Sequence, residues 1–286
     1  MRSTIARRFS LLLVAIACAG PATHPAPLPP TPTLPAPGST IPGARIWSFS
    51  YAPGIASYEI RHTATINNLT DSLARQEIVT SLAHEVLTVE RVGDTIQLTI
   101  AVDSFAISSQ PVLGATPSAV LPAHLVGTLT SEGVQLASDT LAGKCDPVAS
   151  AMRSDLHSLV TSFPPQMSEG MTWTDSVKAE GCQGMIPTIA DISRVYRVTG
   201  ETIFNGTPAI VIERRDSIRA HGEGAQQQHR LIIDAGGNGT ALEYLGISDG
   251  RVIAITGSQE LNITIAMSGQ THRFRQSLKQ EIAIQR

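Results

Sequence analysis

Aromatic residues are scarce in this chain, at 4% of 286 residues, so exposed Trp or Tyr platforms for stacking a sugar are few. Charged residues are sparse as well, at 16%, with no lysine- or arginine-rich block. That excludes the basic footprint of a nucleic-acid binder, and no nucleic-acid partner is expected. No apolar run approaches the roughly 20 residues that a membrane-spanning helix requires. Cysteines number 3. Neither Cys145 nor Cys182 belongs to a C-x-x-C knuckle, so a zinc site is not expected. The glycine-rich Gly236-Gly237-Asn238-Gly239 lacks the Lys-Ser/Thr of a phosphate-binding loop. It reads as a flexible turn, and no cofactor or metal is expected.

What the chain does contain begins at its N-terminus. Arg2, Arg7 and Arg8 precede a short apolar run, Phe9 to Ala17, and Ala15-Ile16-Ala17 leads into Cys18. That order reads as an export signal over residues 1–17. Two cleavage readings follow. Ala15-x-Ala17 fits an ordinary signal peptidase, and the same residues with Cys18 resemble the lipobox of bacterial lipoproteins, which makes Cys18 the lipidated residue. The lipobox usually has Leu where this chain has Ala15. Nine of the chain's 18 prolines fall in residues 21–43. Proline fixes φ and removes an amide donor, so residues 18–43 read as a solvated linker. Residues 21–43 would reach roughly 70 Å as polyproline II. Removing residues 1–17 leaves 18 basic residues against 24 acidic ones, a net charge of about −6.

Residues 44–286 carry period-2 alternation. Tyr58, Ile60, His62, Ala64 and Ile66 share one face. Ile96, Leu98, Ile100 and Val102 do the same, as do Leu261, Ile263, Ile265 and Met267. One buried and one solvated face is the habit of antiparallel sheets. Gly93-Asp94, Asn205-Gly206, Ser248-Asp249-Gly250 and Ser268-Gly269 separate such runs by short turns. Connections that short make a meander, because parallel crossovers need a dozen residues or more. One helix interrupts the strands over 147–162. Asp146 can cap it and Pro147 suits its first turn. Val148, Met152, Leu156, Leu159 and Val160 form an apolar stripe, and Pro164-Pro165 stops it. The expected fold is mainly β: an antiparallel meander forming a curved sheet or half-barrel, or two packed β halves, with one central α-helix. The halves are 44–143 and 166–286.

With Cys18 lipidated, Cys145 and Cys182 remain as an even pair, expected to bond in an oxidising compartment. Closing a loop of about 38 residues would stabilise the fold by roughly 4 kcal/mol. Catalytic readings are weak. Gly246-Ile247-Ser248-Asp249-Gly250 matches the G-x-S-x-G elbow in letters, but a strand follows it where a helix is needed. Leu231 to Gly236 has the Asp-small-Gly pattern of aspartic proteases at Asp234, without a second copy in the chain. His221, Glu223 and His229 lie close in sequence but read as an extended polar segment. No catalytic residue is assigned.

The signal ending in Cys18, the low-complexity linker and a second half opening with Pro164-Pro165…Gly170-Met171-Thr172-Trp173 resemble a broad group of uncharacterised exported bacterial lipoproteins with a two-part β-rich body. The chain is more remotely similar to lipoprotein carriers of the LolA and LppX type. That likeness implies a curved antiparallel sheet with a helical lid around an apolar cavity, and it transfers no site residues. The expected function is a membrane-tethered cell-envelope binding or scaffolding lipoprotein that holds an apolar ligand in the curved sheet. It would lie in the outer membrane, facing the periplasm or the cell surface. Its partners would be the membrane through the lipid anchor, a hydrophobic small molecule, or an envelope protein. The alternative is an envelope hydrolase using Ser248 or Asp234.

Overall fold

The computed structural model describes residues 45–70, 76–111, 123–130, 133–137, 145, 147–183, 186–226 and 229–285. The expected signal peptide, Cys18, the proline-rich linker and the capping Asp146 lie outside the described residues.

Among the described residues, thirteen strands and one helix follow in order. The first half holds β1 (Ile46–Ser48), β2 (Gly54–Asn68), β3 (Gln76–Val92), β4 (Thr95–Gln110), β5 (Ala123–Thr130) and β6 (Gly133–Leu136). Helix α1 (Pro147–Leu159) comes next. The second half holds β7 (Gln166–Ser168), β8 (Thr172–Gln183), β9 (Ile186–Phe204), β10 (Thr207–Gln226), β11 (His229–Gly246), β12 (Val252–Met267) and β13 (Gln270–Gln285). Eleven strands form one antiparallel sheet in the order β6-β5-β4-β3-β2-β13-β12-β11-β10-β9-β8, and β1 pairs with β7 separately. Both halves of the chain therefore share a single sheet, joined where β2 lies beside β13, and not two packed β halves. The junction runs from Ile284 opposite Tyr58 at one end to the Leu69 amide donating to the Arg273 carbonyl at the other.

The sheet is nearly closed into a barrel. Its concave face carries the alternating apolar residues read from the sequence: Tyr58, Ile60, Ala64 and Ile66 on β2, Leu98, Ile100 and Val102 on β4, and Leu261 and Ile263 on β12 are all buried. The turn residues also behave as read. Asn205-Gly206 and Ser268-Gly269 both adopt positive φ, as tight hairpins with right-handed twist demand.

Gly236 to Gly239 does not form a turn. The four residues lie inside β11, paired to β10 on one side and β12 on the other. A Cβ at Gly237 would overlap the Glu260 carbonyl of the neighbouring strand. Glycine there permits a backbone approach that a side chain would block.

Helix α1 occupies the concave side and packs against β4 and β5 near one end of the sheet and against β8 at the other. It closes the seam that the strands leave open. Val148 to Thr161 are buried except for Ser154 and His157, which are half-buried. Small residues at Ala149, Ser150, Ala151 and Ser158 let the helix be enclosed on every side. The Cys145–Cys182 disulfide, with Cα atoms 5.4 Å apart, ties the start of α1 to β8. At the other end, the Tyr51 hydroxyl donates to the Thr161 carbonyl and accepts from the Thr161 amide, both at 2.9 Å.

Two apolar clusters fill the concave side. One surrounds α1 and includes Tyr58, Leu98, Ile100, Met152, Leu156, Leu159, Tyr196 and Ile212. The other is built by Ile186, Ile192, Ile218, Leu231, Ile233, Leu261 and Ile263 on the distant parts of β9 to β12. Trp173 stacks on Tyr196 with ring centroids 4.9 Å apart, and Phe163 meets both rings edge-on. Trp173 is thus the structural anchor its position after the proline corner predicts. Trp47 is also buried, and its indole donates to Glu201 at 3.0 Å.

Candidate functional site

Between the two apolar clusters the concave face turns polar. The strand alternation that points isoleucines inward elsewhere points Arg194 on β9, Arg214 and Asp216 on β10, Glu243 on β11, Gln259 on β12, Gln276 and Gln280 on β13, His62 on β2, and Ser81 and Glu85 on β3 toward the same interior. All are buried. Helix α1 contributes Asp155, also buried, from the concave side.

On the β9–β11 wall the belt is an ion-pair network. The Arg214 guanidinium lies 2.5 Å from Glu243 through Nη1 and 3.1 Å from Asp216 through Nε. Arg194 donates to the His157 carbonyl at 2.9 Å, tying α1 to β9. Burial raises the Glu243 carboxyl above its ordinary range, and Arg214 and Arg194 pull it back. Burial pushes the His157 imidazole down to about 4, with the Arg194 charge acting in the same direction. His157 is therefore neutral in the folded protein at neutral pH.

On the β12–β3 wall the belt is short of partners. His62 Nε2 lies 3.3 Å from Asp155 and 3.2 Å from the Gln280 amide nitrogen. Both oxygens of Glu85, both amide atoms of Gln259 and the Gln276 carbonyl oxygen have no hydrogen-bond partner among the described residues. Burial, and then the nearby Asp155 charge, raise Glu85 well above the ordinary carboxylate range. Glu85 faces inward by the plain alternation of β3, between Ala83 and Leu87, and the β3–β4 register slips beside it, where Asp103 is the extra residue on β4.

The residues singled out from the sequence lie elsewhere. Ser248 is exposed at the tip of the β11–β12 hairpin, where Asp249 accepts from the Arg251 amide at 3.2 Å. Asp234 is on the outer face of β11, exposed, and 2.8 Å from His221 Nδ1. That hydrogen bond raises the His221 imidazole. His221 Nε2 also lies 3.6 Å from Glu223, which pairs with Arg230 at 2.6 Å, whereas His229 meets the Ser268 hydroxyl at 2.7 Å, so of the three residues His221 and Glu223 meet and His229 has a different partner. Among the described residues no group of three or more His, Cys, Asp or Glu side chains is placed to hold a metal ion.

No belt residue stands out singly in the sequence. The available signal was polar residues standing at inward positions of otherwise apolar alternations, as in Ile210-x-Ile212-x-Arg214-x-Asp216-x-Ile218. No protein-family model matches the chain, and no curated protein matches it.

Proposed function

We propose that this chain is a membrane-tethered cell-envelope binding lipoprotein that takes an amphiphile into the concave side of its sheet. The polar head of the ligand would meet the belt, and its apolar part would lie along an aliphatic wall. The observation that carries this reading is the unpartnered wall of Glu85, Gln259 and Gln276, buried between two apolar clusters. Native interiors pair about nine in ten such groups, and each orphan costs about 1–3 kcal/mol. A ligand bearing hydroxyl or amide groups would supply the missing donors and acceptors, and apolar clefts with a few polar groups are the usual form of a small-molecule site. With α1 seated the belt is closed to solvent, so uptake requires α1 to yield its place. The signal, Cys18 and the proline-rich linker support the tether. The hydrolase alternative gains no supporting observation, since Ser248 stands at a hairpin tip and Asp234 on an exposed strand face.

Native mass spectrometry of the mature protein, purified without detergent, tests the reading. We expect a co-purifying small molecule that organic extraction removes, and re-binding of a fluorescent long-chain amphiphile by the extracted protein. A clean apo mass together with no uptake of that probe would refute it. The mass of the mature N-terminus tests the tether: diacylated or triacylated Cys18 is expected, and an unmodified N-terminus contradicts it.

A further inference from the structure

We propose that the Cys145–Cys182 disulfide is a redox latch on α1: a dithiol that reduces it frees the N-terminal end of the helix, while the C-terminal end stays anchored as a hinge. The use of that motion, admission of an amphiphile to the belt, rests on the ligand reading above. The motion itself does not.

The two ends of α1 are held by different means. At the C-terminal end the Thr161 backbone exchanges two hydrogen bonds with the Tyr51 hydroxyl, both at 2.9 Å, and the His157 carbonyl accepts from Arg194 at 2.9 Å. Leu156, Leu159, Val160 and Phe163 all belong to the apolar cluster around the helix. The Phe163 ring meets Phe49 and Trp173 with centroids 4.9 Å and 6.0 Å away. Just beyond, the Phe49 amide donates to the Pro165 carbonyl, and the chain continues into β7, paired with β1. The N-terminal end carries small side chains instead. Of residues 148–151 only Val148 belongs to that cluster, and Ala149, Ser150 and Ala151 offer few apolar atoms to bury. Its covalent hold is the disulfide, two residues before Pro147. A helix of 13 residues is near the length at which helices are marginal on their own. A lightly packed first turn therefore lifts once the tie is cut.

The latch stands where a reductant can reach it. Cys145 and Cys182 are each half-buried, whereas Met152 and Leu156 are fully enclosed. Strand β8, which carries Cys182, ends the strand order of the sheet. Accessible disulfides are the labile and regulatory ones. A thiolate of the dithiol attacks one sulfur, and the other sulfur leaves as thiolate. The second thiol of the reductant then resolves the mixed disulfide, so two cysteine thiols form as the dithiol is oxidised to its own disulfide. Cys182 lies opposite Pro187, beside Ile186 of the far apolar cluster. The freed end of α1 is thus the end nearer that cluster, and lifting it opens the concave side from there.

Amide hydrogen exchange of the intact mature chain reads the motion with no ligand present. The folded protein would be compared before and after treatment with dithiothreitol, with alkylation and mass counting the freed thiols. We expect residues 151–154 to exchange about tenfold faster or more after reduction, because cutting the cross-link returns chain entropy to the open state. Residues 157–160 and the strand residues 255–263 should keep their protection. Cys145→Ser combined with Cys182→Ser should reproduce the reduced profile, and reduction of the folded wild type stays decisive where that variant does not fold. A disulfide that stays closed in the folded protein, unchanged exchange at 151–154, or an equal rise at 157–160 would overturn the latch. Release of 151–154 without uptake of the fluorescent amphiphile would support the latch and count against the ligand reading.

Discussion

The two halves of the concave side are filled by different means. Around α1 the sheet is packed with most of the chain's scarce aromatic residues: Trp47, Phe49, Tyr51, Tyr58, Phe163, Trp173 and Tyr196 all belong to that cluster or pack against it. The distant cluster is aliphatic at its buried centre, with Ile, Leu and Ala alone, and only Phe274 at its margin. Large rings suit the space between a helix and a sheet, where they bridge elements about 10 Å apart and still find partners for their polar tips. Small branched side chains suit a wall that folds on itself. The contrast teaches that the helix is structural filling in one half, whereas the far half is shaped by the sheet alone. The polar belt is the boundary between them.

The comparison breaks most readily at the belt. Arg214→Met leaves Glu243 and Asp216 buried without their cation, and denaturant unfolding should show a loss of about 3–5 kcal/mol. A loss below about 1 kcal/mol would mean that the network is hydrated and does not separate the halves.

A matched pair of truncations sharpens the contrast. Leu156 is fully buried on α1 and Leu261 is buried in the far cluster. Each change to Ala should cost about 2–5 kcal/mol. Hydrogen exchange should differ: Leu156→Ala exposes the amides of α1 to faster exchange, and Leu261→Ala leaves them protected. Equal behaviour would mean that the two halves open as one unit.

Acid should act on the helix half through His157. Its imidazole is lowered from 6.5 to about 4, so the unfolded chain takes up the proton first as pH falls. The stability from this group is present above pH 6.5 and is lost toward pH 4, by about 3 kcal/mol. His157→Gln should flatten the wild-type decline in melting temperature over that window, and an unchanged decline would contradict the assignment. Glu77 on β3 shifts the opposite way, raised by burial to about 7. Carboxyl NMR should find its midpoint near neutrality, and an ordinary midpoint would place Glu77 in free solvent.

Legibility followed periodicity. Strands β2, β4 and β12 were readable because inward isoleucines and leucines alternate with polar residues, and the hairpins because Asn-Gly and Ser-Gly pairs need positive φ. The helix was readable from Met152, Leu156 and Leu159, although it ends at Leu159 and not at 162. Two things were not readable. Gly236 to Gly239 has the composition of a turn, and only the neighbouring strand, whose Glu260 carbonyl leaves no room for a Cβ at Gly237, shows why it is a strand. The belt depends on which polar residues meet across strands far apart in sequence: His62 meets Gln280, and Arg214 meets Glu243. No local pattern carries such a pairing. Ser248 marks the smallest expected effect. Ser248→Ala should change stability by no more than about 0.5 kcal/mol, and a larger change in the melt would give that hairpin tip a role it lacks here.

The central claim is that α1 lies inside the sheet, closing the seam between β4–β5 and β8. Amide hydrogen exchange of residues 151–159 in the intact, oxidised protein tests it most directly. The account predicts strong protection of these amides, far above that of the hairpin tips, with exchange only through release of α1 from the concave side. Exchange of the helix at the rate of the hairpin tips at Asn205 and Ser268 would contradict it.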